Sequence, residues 1–244
     1  MPALFPDRFA GRSFVVTGGT GGIGRATADR LHAEGARVLV TGRTEEKLKD
    51  AAAAGLDTLA NDAADPAAAG ALADAVKDRF GALDGAFLNA GFAEFGTLAD
   101  TTAEGIDRVF AVDVRGVLLH AQALAPLMND GGSLLFNASV APQLQQPSSL
   151  VYASAKGAVL TAVRVLAKEL APRVRVNAVS PGPVATDAFD VVDDAVVDWL
   201  KGRSALGRFA DPAELAAVAC FLLSEEASYV VGSNVVADGG MVTL

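Results

Sequence analysis

Short runs of apolar, β-branched residues alternate with longer amphipathic segments from one end of the chain to the other. Ser13–Thr17, Arg37–Thr41, Asp57–Asn61, Gly85–Leu88, Ser133–Asn137, Arg175–Val179 and Asn234–Ala237 read as strands. Several are apolar almost throughout, as strands covered on both faces are. Between them, Ile23–Glu34, Glu45–Ala54, Pro66–Phe80, Ala103–Met128, Leu150–Ala171 and Pro212–Leu223 carry helical spacing. The last opens with Asp211 placed to cap, Pro212 at the first helical position and Glu214 two residues on, a strong helix start. Strict alternation of strand and helix predicts parallel strands joined by right-handed crossovers. The expected fold is α/β: one doubly wound, Rossmann-like parallel sheet of about seven strands in a three-layer α/β/α sandwich.

Composition narrows the picture. At 244 residues the chain has room for one large domain or two small ones, and no linker, repeat or low-complexity stretch divides it. A single domain over 1–244 is expected, with a substrate loop around 185–205. Lys and Arg number 20 against 29 Asp and Glu, a net charge of −9. A chain that acidic, with no basic stripe, is repelled by a phosphate backbone, so nucleic acid is not an expected partner. Its one cysteine, Cys220, excludes an intramolecular disulfide and a Cys-based zinc cluster. The N-terminus holds two prolines and no apolar run, so no secretory signal is read there. The uncharged window 131–155 is long enough to span a bilayer, but Asn137, Pro142, Gln143, Gln145, Gln146 and Pro147 interrupt it. A cytoplasmic protein without a membrane partner is expected.

The first strand runs into Thr17-Gly18-Gly19-Thr20-Gly21-Gly22-Ile23-Gly24, which opens a helix. Glycines there let the backbone approach a pyrophosphate while the helix N-terminus offers free N–H groups. Three glycine registers fit: Gly19/Gly21/Gly24, Gly18/Gly21/Gly24 and Gly18/Gly22/Gly24. The end of the second strand, where an acidic residue would hold the ribose of NAD, reads Val40-Thr41-Gly42-Arg43-Thr44. No carboxylate stands there, and a guanidinium suits a 2′-phosphate. NADP(H) is therefore favoured over NAD(H); the plainer alternative makes Arg43 a solvated loop residue. Lys47, on the following helix, could assist or simply be exposed.

Tyr152-Ala153-Ser154-Ala155-Lys156 puts a phenol and an ammonium four residues apart, on one helical face. A nearby ammonium favours the phenolate, which suits a tyrosine to acid–base work. The spacing alone is common. Its company is less so: Ser139 ends one buried strand, Asn89-Ala90-Gly91 another and Pro181-Gly182 a third, with Thr186 just beyond. In a doubly wound sheet, strand carboxyl ends line the ligand crevice.

These motifs, with Asp62 after the third strand and the late Asp238-Gly239-Gly240, resemble the short-chain dehydrogenase/reductase family in its single-domain branch, over nearly the whole chain. The resemblance selects Gly18, Gly22 and Gly24 as the glycine register. It implies a cofactor-binding set of Gly18, Thr20, Gly22, Ile23, Gly24, Arg43, Asp62, Asn89, Gly91, Pro181, Gly182, Val184 and Thr186, joined by Tyr152 and Lys156. Tyr152 would be the proton donor in reduction and acceptor in oxidation. Lys156 would hold the nicotinamide ribose and depress the acid range of Tyr152. Ser139 would hydrogen-bond the substrate oxygen. Asp62 would meet the adenine amino group, Asn89 would border the adenosine ribose, and Val184 and Thr186 would hold the carboxamide. One position departs from the pattern. Many members carry an Asn-x-x-Gly in the long helix after the fourth strand, and this chain has Asp113-Val114-Arg115-Gly116. Asp113 joins the expected catalytic set, with a negative charge free to pair with Lys156 and so partly offset its effect on Tyr152.

The expected function is interconversion of a carbonyl and a secondary alcohol by hydride transfer, on an apolar or neutral small molecule. The alternatives are an NAD-dependent alcohol dehydrogenase of the same family and a catalytically silent NADP-binding sensor or scaffold. The resemblance also implies a homodimer or homotetramer built partly on the helices at 103–128 and 150–171. His32 and His120 lack metal-ligand spacing, and no metal is expected. Cys220 reads as a small buried hydrophobe, and Glu225-Glu226 as a solvated helix end. Phe189 and Trp199 fall in 187–203, which would either close over the substrate or form a surface helix packed by Val192, Val196, Trp199 and Leu200.

Overall fold

The computed structural model describes residues 5–186 and 194–242. Seven strands form one sheet: β1 (Ser13–Val16), β2 (Arg37–Gly42), β3 (Asp57–Ala60), β4 (Leu83–Leu88), β5 (Met128–Asn137), β6 (Val174–Pro181) and β7 (Asn234–Ala237). Their order is β3-β2-β1-β4-β5-β6-β7 and every pairing is parallel. The order reverses between β1 and β4, so the chain leaves their carboxyl ends in opposite directions and opens a crevice there.

The helices are α1 (Gly22–Ala33), α2 (Glu45–Ala53), α3 (Ala68–Phe80), α4 (Ala103–Phe110), α5 (Val117–Leu124), α6 (Ala141–Leu144), α7 (Leu150–Leu170), α8 (Asp194–Arg203) and α9 (Pro212–Leu223). Alternating strand residues feed two cores. Phe14 and Val16 join Ala28 and Leu31 of α1 and Leu215, Ala219 and Leu222 of α9 on one face. Val15 joins Leu72 and Val76 of α3, Val117 and Leu124 of α5, and Val159 and Val163 of α7 on the other. Two apolar faces explain why the strands read as continuous hydrophobic runs. The capping at the start of α9 is as the sequence predicts: the Asp211 side chain accepts from Ala213 N at 2.8 Å, and Glu214 Oε2 accepts from Asp211 N at 2.8 Å.

Ala103–Met128 is not one helix. Residues Ala111–Gly116 form a π turn between α4 and α5, Ala125–Leu127 a 3₁₀ turn, and Met128 already belongs to β5. Gly116 sits where a Cβ would lie 2.1 Å from the Ala63 carbonyl oxygen, so only a bare backbone allows this approach of the π turn to the loop after β3. The short α6 is a further element that the apolar pattern does not mark. Among the described residues, α7 is the one helix long and apolar enough, by length and composition, to cross a membrane. It packs on the sheet through Val159, Val163 and Ala167. In α8 only Leu200 is buried, against Val140 and Met241; Val196 and Trp199 face outward. Val192 and Phe189 lie outside the described residues.

Candidate active site

The carboxyl ends of β1, β4 and β5 are stitched together by polar side chains. Thr17 Oγ1 accepts from the N–H groups of Asn89 and Ala90, at 2.9 and 3.0 Å. Asn89 Nδ2 donates to the carbonyls of Thr17 and Gly18, and Asn89 Oδ1 accepts from Asn137 Nδ2 at 3.0 Å. The Asn89 amide is thus spent on the frame of the crevice.

Within the glycine turn, Gly18 and Gly22 have φ of +62° and +51°, the left-handed region that favours glycine. A Cβ on Gly24 would fall 2.4 Å from both Asn89 Nδ2 and the Gly18 carbonyl oxygen. At Gly21 a Cβ would meet nothing closer than Lys47 Nζ, at 3.9 Å. Backbone and space therefore demand Gly18, Gly22 and Gly24, space also holds Gly19, where a Cβ would lie 2.7 Å from Val40 Cγ1, and Gly21 is left optional. The first turn of α1 holds no acidic residue, and no side chain caps it. Its amide groups, next to Ile23, remain open to an anion. From the far side Thr186 closes over this turn, its Cγ2 being 3.1 Å from where a Gly22 Cβ would stand. The loop carrying Thr186 leaves β6 through Pro181 and Gly182, with Val184 buried beneath it. Gly182 is pressed on Asp238, where a Cβ would lie 2.8 Å from Asp238 Cα.

At the end of β2, Gly42 is covered by Thr20, whose Oγ1 lies 2.5 Å from a would-be Cβ. A carboxylate side chain cannot stand there without displacing Thr20. Arg43 follows, exposed, and Lys47 reaches back to the glycine turn. Asp62 is also exposed, its Oδ1 accepting from Ala64 N at 3.0 Å in a local turn.

On α7, Tyr152 and Lys156 share one face, and the Lys156 ammonium lies 5.6 Å from the Tyr152 ring centroid. Lys156 is 2% exposed and Asp113 is fully buried. Lys156 Nζ donates to the Asn137 carbonyl oxygen at 3.0 Å and pairs with Asp113 Oδ1 at 3.2 Å. Asp113 Oδ1 also accepts from Phe92 N at 3.2 Å, whereas its Oδ2 has no hydrogen-bond partner. Burial pushes the Asp113 carboxyl up from the usual value, against the pull of the Lys156 ammonium and the Phe92 N–H. Gly91 gives these groups room, since a Cβ there would stand 2.9 Å from Asp113 Oδ1. The Phe95 ring meets Tyr152 edge-on at 5.8 Å. Ser139, half-buried at the end of β5, accepts from Ala141 N at 3.1 Å and keeps its hydroxyl proton to give. A shallow groove open to solvent is lined by Glu94, Phe95, Asp100, Ile106 and Val151, next to Tyr152 in the chain; Tyr152, Ser139 and Lys156 do not line it.

Asn137 was not among the sequence-derived residues, because it holds Lys156 through its backbone carbonyl, and a carbonyl leaves no mark on the sequence. Nor did the helical pattern fix where Lys47 points. The residues read as bystanders behave so: His32 is exposed, and buried His120 contacts the Gly116 carbonyl through Nδ1 at 2.7 Å. Burial pushes the Cys220 thiol up to about 12, the value of an inert core sulfur. Glu225 and Glu226 are exposed but engaged, with Arg12 and Arg8. Among the described residues no group of three His, Cys, Asp or Glu is placed to hold a metal.

A parallel sheet with a bare helix N-terminus at its switch point and a Tyr–Lys helix beside it is a Rossmann-type fold with its ligand crevice at the strand carboxyl ends. Comparison with known proteins agrees. A family model described as enoyl-(acyl carrier protein) reductase matches residues 18–242. Glucose 1-dehydrogenase of Gluconobacter oxydans is 35% identical, over 99% of this chain and 96% of its own. Meso-2,3-butanediol dehydrogenase of Serratia marcescens is 33% identical, over 96% of this chain and 95% of its own. A crystal structure of a glucose/ribitol-type short-chain dehydrogenase/reductase from Brucella melitensis superposes with a TM-score of 0.94 at 31% identity, covering 98% of this chain and all of the other. The chain belongs to the short-chain dehydrogenase/reductase family.

Proposed function

We propose that the protein is an NADP(H)-dependent oxidoreductase that interconverts a carbonyl and a secondary alcohol, with Tyr152 as the acid and base. The observation that carries this reading is Lys156, buried and held by two contacts on the helical face it shares with Tyr152. A buried ion pair beside a phenol at the carboxyl ends of a parallel sheet adds little to stability, and buried charged groups of this kind gather where chemistry is done. The nicotinamide group supplies the hydride when bound. The protein supplies position and a proton: Ser139 donates to the substrate oxygen, Tyr152 gives or takes the proton at that oxygen, and Lys156 orients the ribose.

The residues present fit such a cofactor. Gly18, Thr20, Gly22, Ile23 and Gly24 offer a bare backbone and open amides to the pyrophosphate. Asp62, Asn89 and Gly91 border the adenosine side, and Pro181, Gly182, Val184 and Thr186 the nicotinamide side. Arg43, supported by Lys47 over the glycine turn, suits a 2′-phosphate, and Thr20 over Gly42 occupies the space an NAD-selecting carboxylate needs. The exposed Phe95 ring, edge-on to Tyr152, favours an apolar or neutral carbonyl compound. Exposed Leu118 of α5 with Leu150 and Val165 of α7 favour a homodimer or homotetramer, and the acidic, disulfide-free composition favours the cytoplasm.

Oxidation of NADPH and NADH followed over ketones, aldehydes and 3-oxo thioesters tests the reading. Turnover with NADPH is expected, and Tyr152→Phe should lower kcat by about 10²-fold or more. Arg43→Ala should raise the KM for NADPH about tenfold, the size of one charge-assisted contact, and leave that for NADH unchanged. Tight NADPH binding without turnover on the whole panel would instead favour a sensor or scaffold.

A further inference from the structure

The charge on Lys156 is not free to act on Tyr152. Asp113 Oδ1 lies 3.2 Å from the ammonium, and both groups are sealed from water. The other elements packed here add no compensating cation. β5 brings neutral Asn137 and Ser139, and α6 has no charged residue. On α4, which packs on α7, Glu104, Asp107 and Arg108 are exposed, and Arg108 is paired with Glu94 at 2.9 Å. In the π turn Arg115 is turned away to the Ala64 carbonyl. Arg175 of β6 is committed to carbonyls at the end of α9.

A lone ammonium stabilises a nearby phenolate by one full charge. A buried carboxylate–ammonium pair presents a dipole, whose effect on the same phenol is much smaller. We propose that Asp113 cancels the Lys156 charge at Tyr152 and so sets the pH at which Tyr152 passes from proton donor to proton acceptor. The inference rests on the reading of Tyr152 given above and adds the residue that sets its pH range. In reduction the carbonyl carbon receives a hydride from the reduced nicotinamide, the π pair of the C=O bond moves onto oxygen, and that oxygen takes the Tyr152 proton. The resulting phenolate is reprotonated from water. Alcohol oxidation needs the phenolate at the outset, which the neutralised pair does not favour.

Asp113 acts through Lys156 and touches no reacting atom, so it is a positioning residue, and its effect must appear in a titration. The chain has two tyrosines, and Tyr229 is fully exposed. Ultraviolet difference titration of tyrosinate in the cofactor-free protein, with Tyr152→Phe subtracted, isolates Tyr152. Asp113→Asn should move its ionisation about one to two pH units toward acid, the size of one nearby charge. Asp113→Ser, a second carboxylate-free variant, should move it the same way. The pH at which alcohol oxidation reaches half its maximal rate should move toward acid by the same amount. An unmoved titration in both variants, with Tyr152→Phe inactive, overturns the role of Asp113 and leaves the acid–base assignment standing. A Tyr152→Phe protein as active as its parent overturns both.

Discussion

Gly21 and Gly24 are three residues apart in one turn, yet they answer to different constraints. Gly24 lies inside α1, and the volume of a methyl group there is already taken by Asn89 Nδ2 and the Gly18 carbonyl, each 2.4 Å away. Gly21 looks onto open space short of Lys47 Nζ. Gly24→Ala should therefore force the β1–α1 turn apart, cost about 1–3 kcal/mol of stability and weaken NADPH binding by an order of magnitude or more. Gly21→Ala should leave both within about threefold, a change of less than 1 kcal/mol. Thermal unfolding and fluorescence titration with NADPH on the two variants test this directly. Equal losses at both positions would mean that the turn needs flexibility rather than space. Sequence alone left three glycine registers open because all the glycines look alike in it. What separates them is the neighbour across the crevice, and Asn89 and Val40 are far away along the chain.

At the scale of elements, helix ends and strand runs carried their own signals, and the middle of the long helix did not. Asp211, Pro212 and Glu214 specify the start of α9 locally, through bonds made within four residues. Asp211→Ala should cost about 1 kcal/mol in urea unfolding. Glu214 adds a pH dependence. The Arg208 side chain, followed by the Asp211 N–H, lowers its acid range from 4.5 to about 2. A depressed folded-state value means the contribution is complete above 4.5 and fades as pH falls toward about 2. Glu214 is 41% exposed, so solvent screens it and only a fraction of the unscreened effect should appear. Glu214→Gln should abolish that part of the acid sensitivity, seen as a flatter unfolding midpoint between pH 5 and 2. By contrast, Ala111–Gly116 keeps the apolar spacing of an ordinary helix and contains no proline to announce a π turn. Gly116 is there to meet Ala63 from a different element. This one irregularity sets Asp113 opposite Lys156. The residue stood out in the sequence, but the contact that gives it meaning depends on how the π turn lies against α7.

The whole molecule poses a question about charge and association. A net charge of −9 opposes the approach of a second copy. Even so, Leu118 on α5 and Leu150 and Val165 on α7 stand 39%, 47% and 50% exposed. Both helices flank the same face of the sheet. Exposed apolar residues of this kind on an otherwise acidic protein fit the association proposed above, each copy covering the other about a two-fold axis. The same α7 carries Tyr152 and Lys156 near its start. Val165→Glu, far along α7 from Tyr152, places a charge on the exposed side of that helix without touching the core. Light scattering with size exclusion should then show the mass falling from a dimer or tetramer to 24.8 kDa, the mass of one chain. The specific activity should fall with it and recover as concentration rises and the copies reassociate. If the parent protein elutes as one chain, the exposed face has another use; if Val165→Glu keeps both mass and activity, the contact lies elsewhere on the surface.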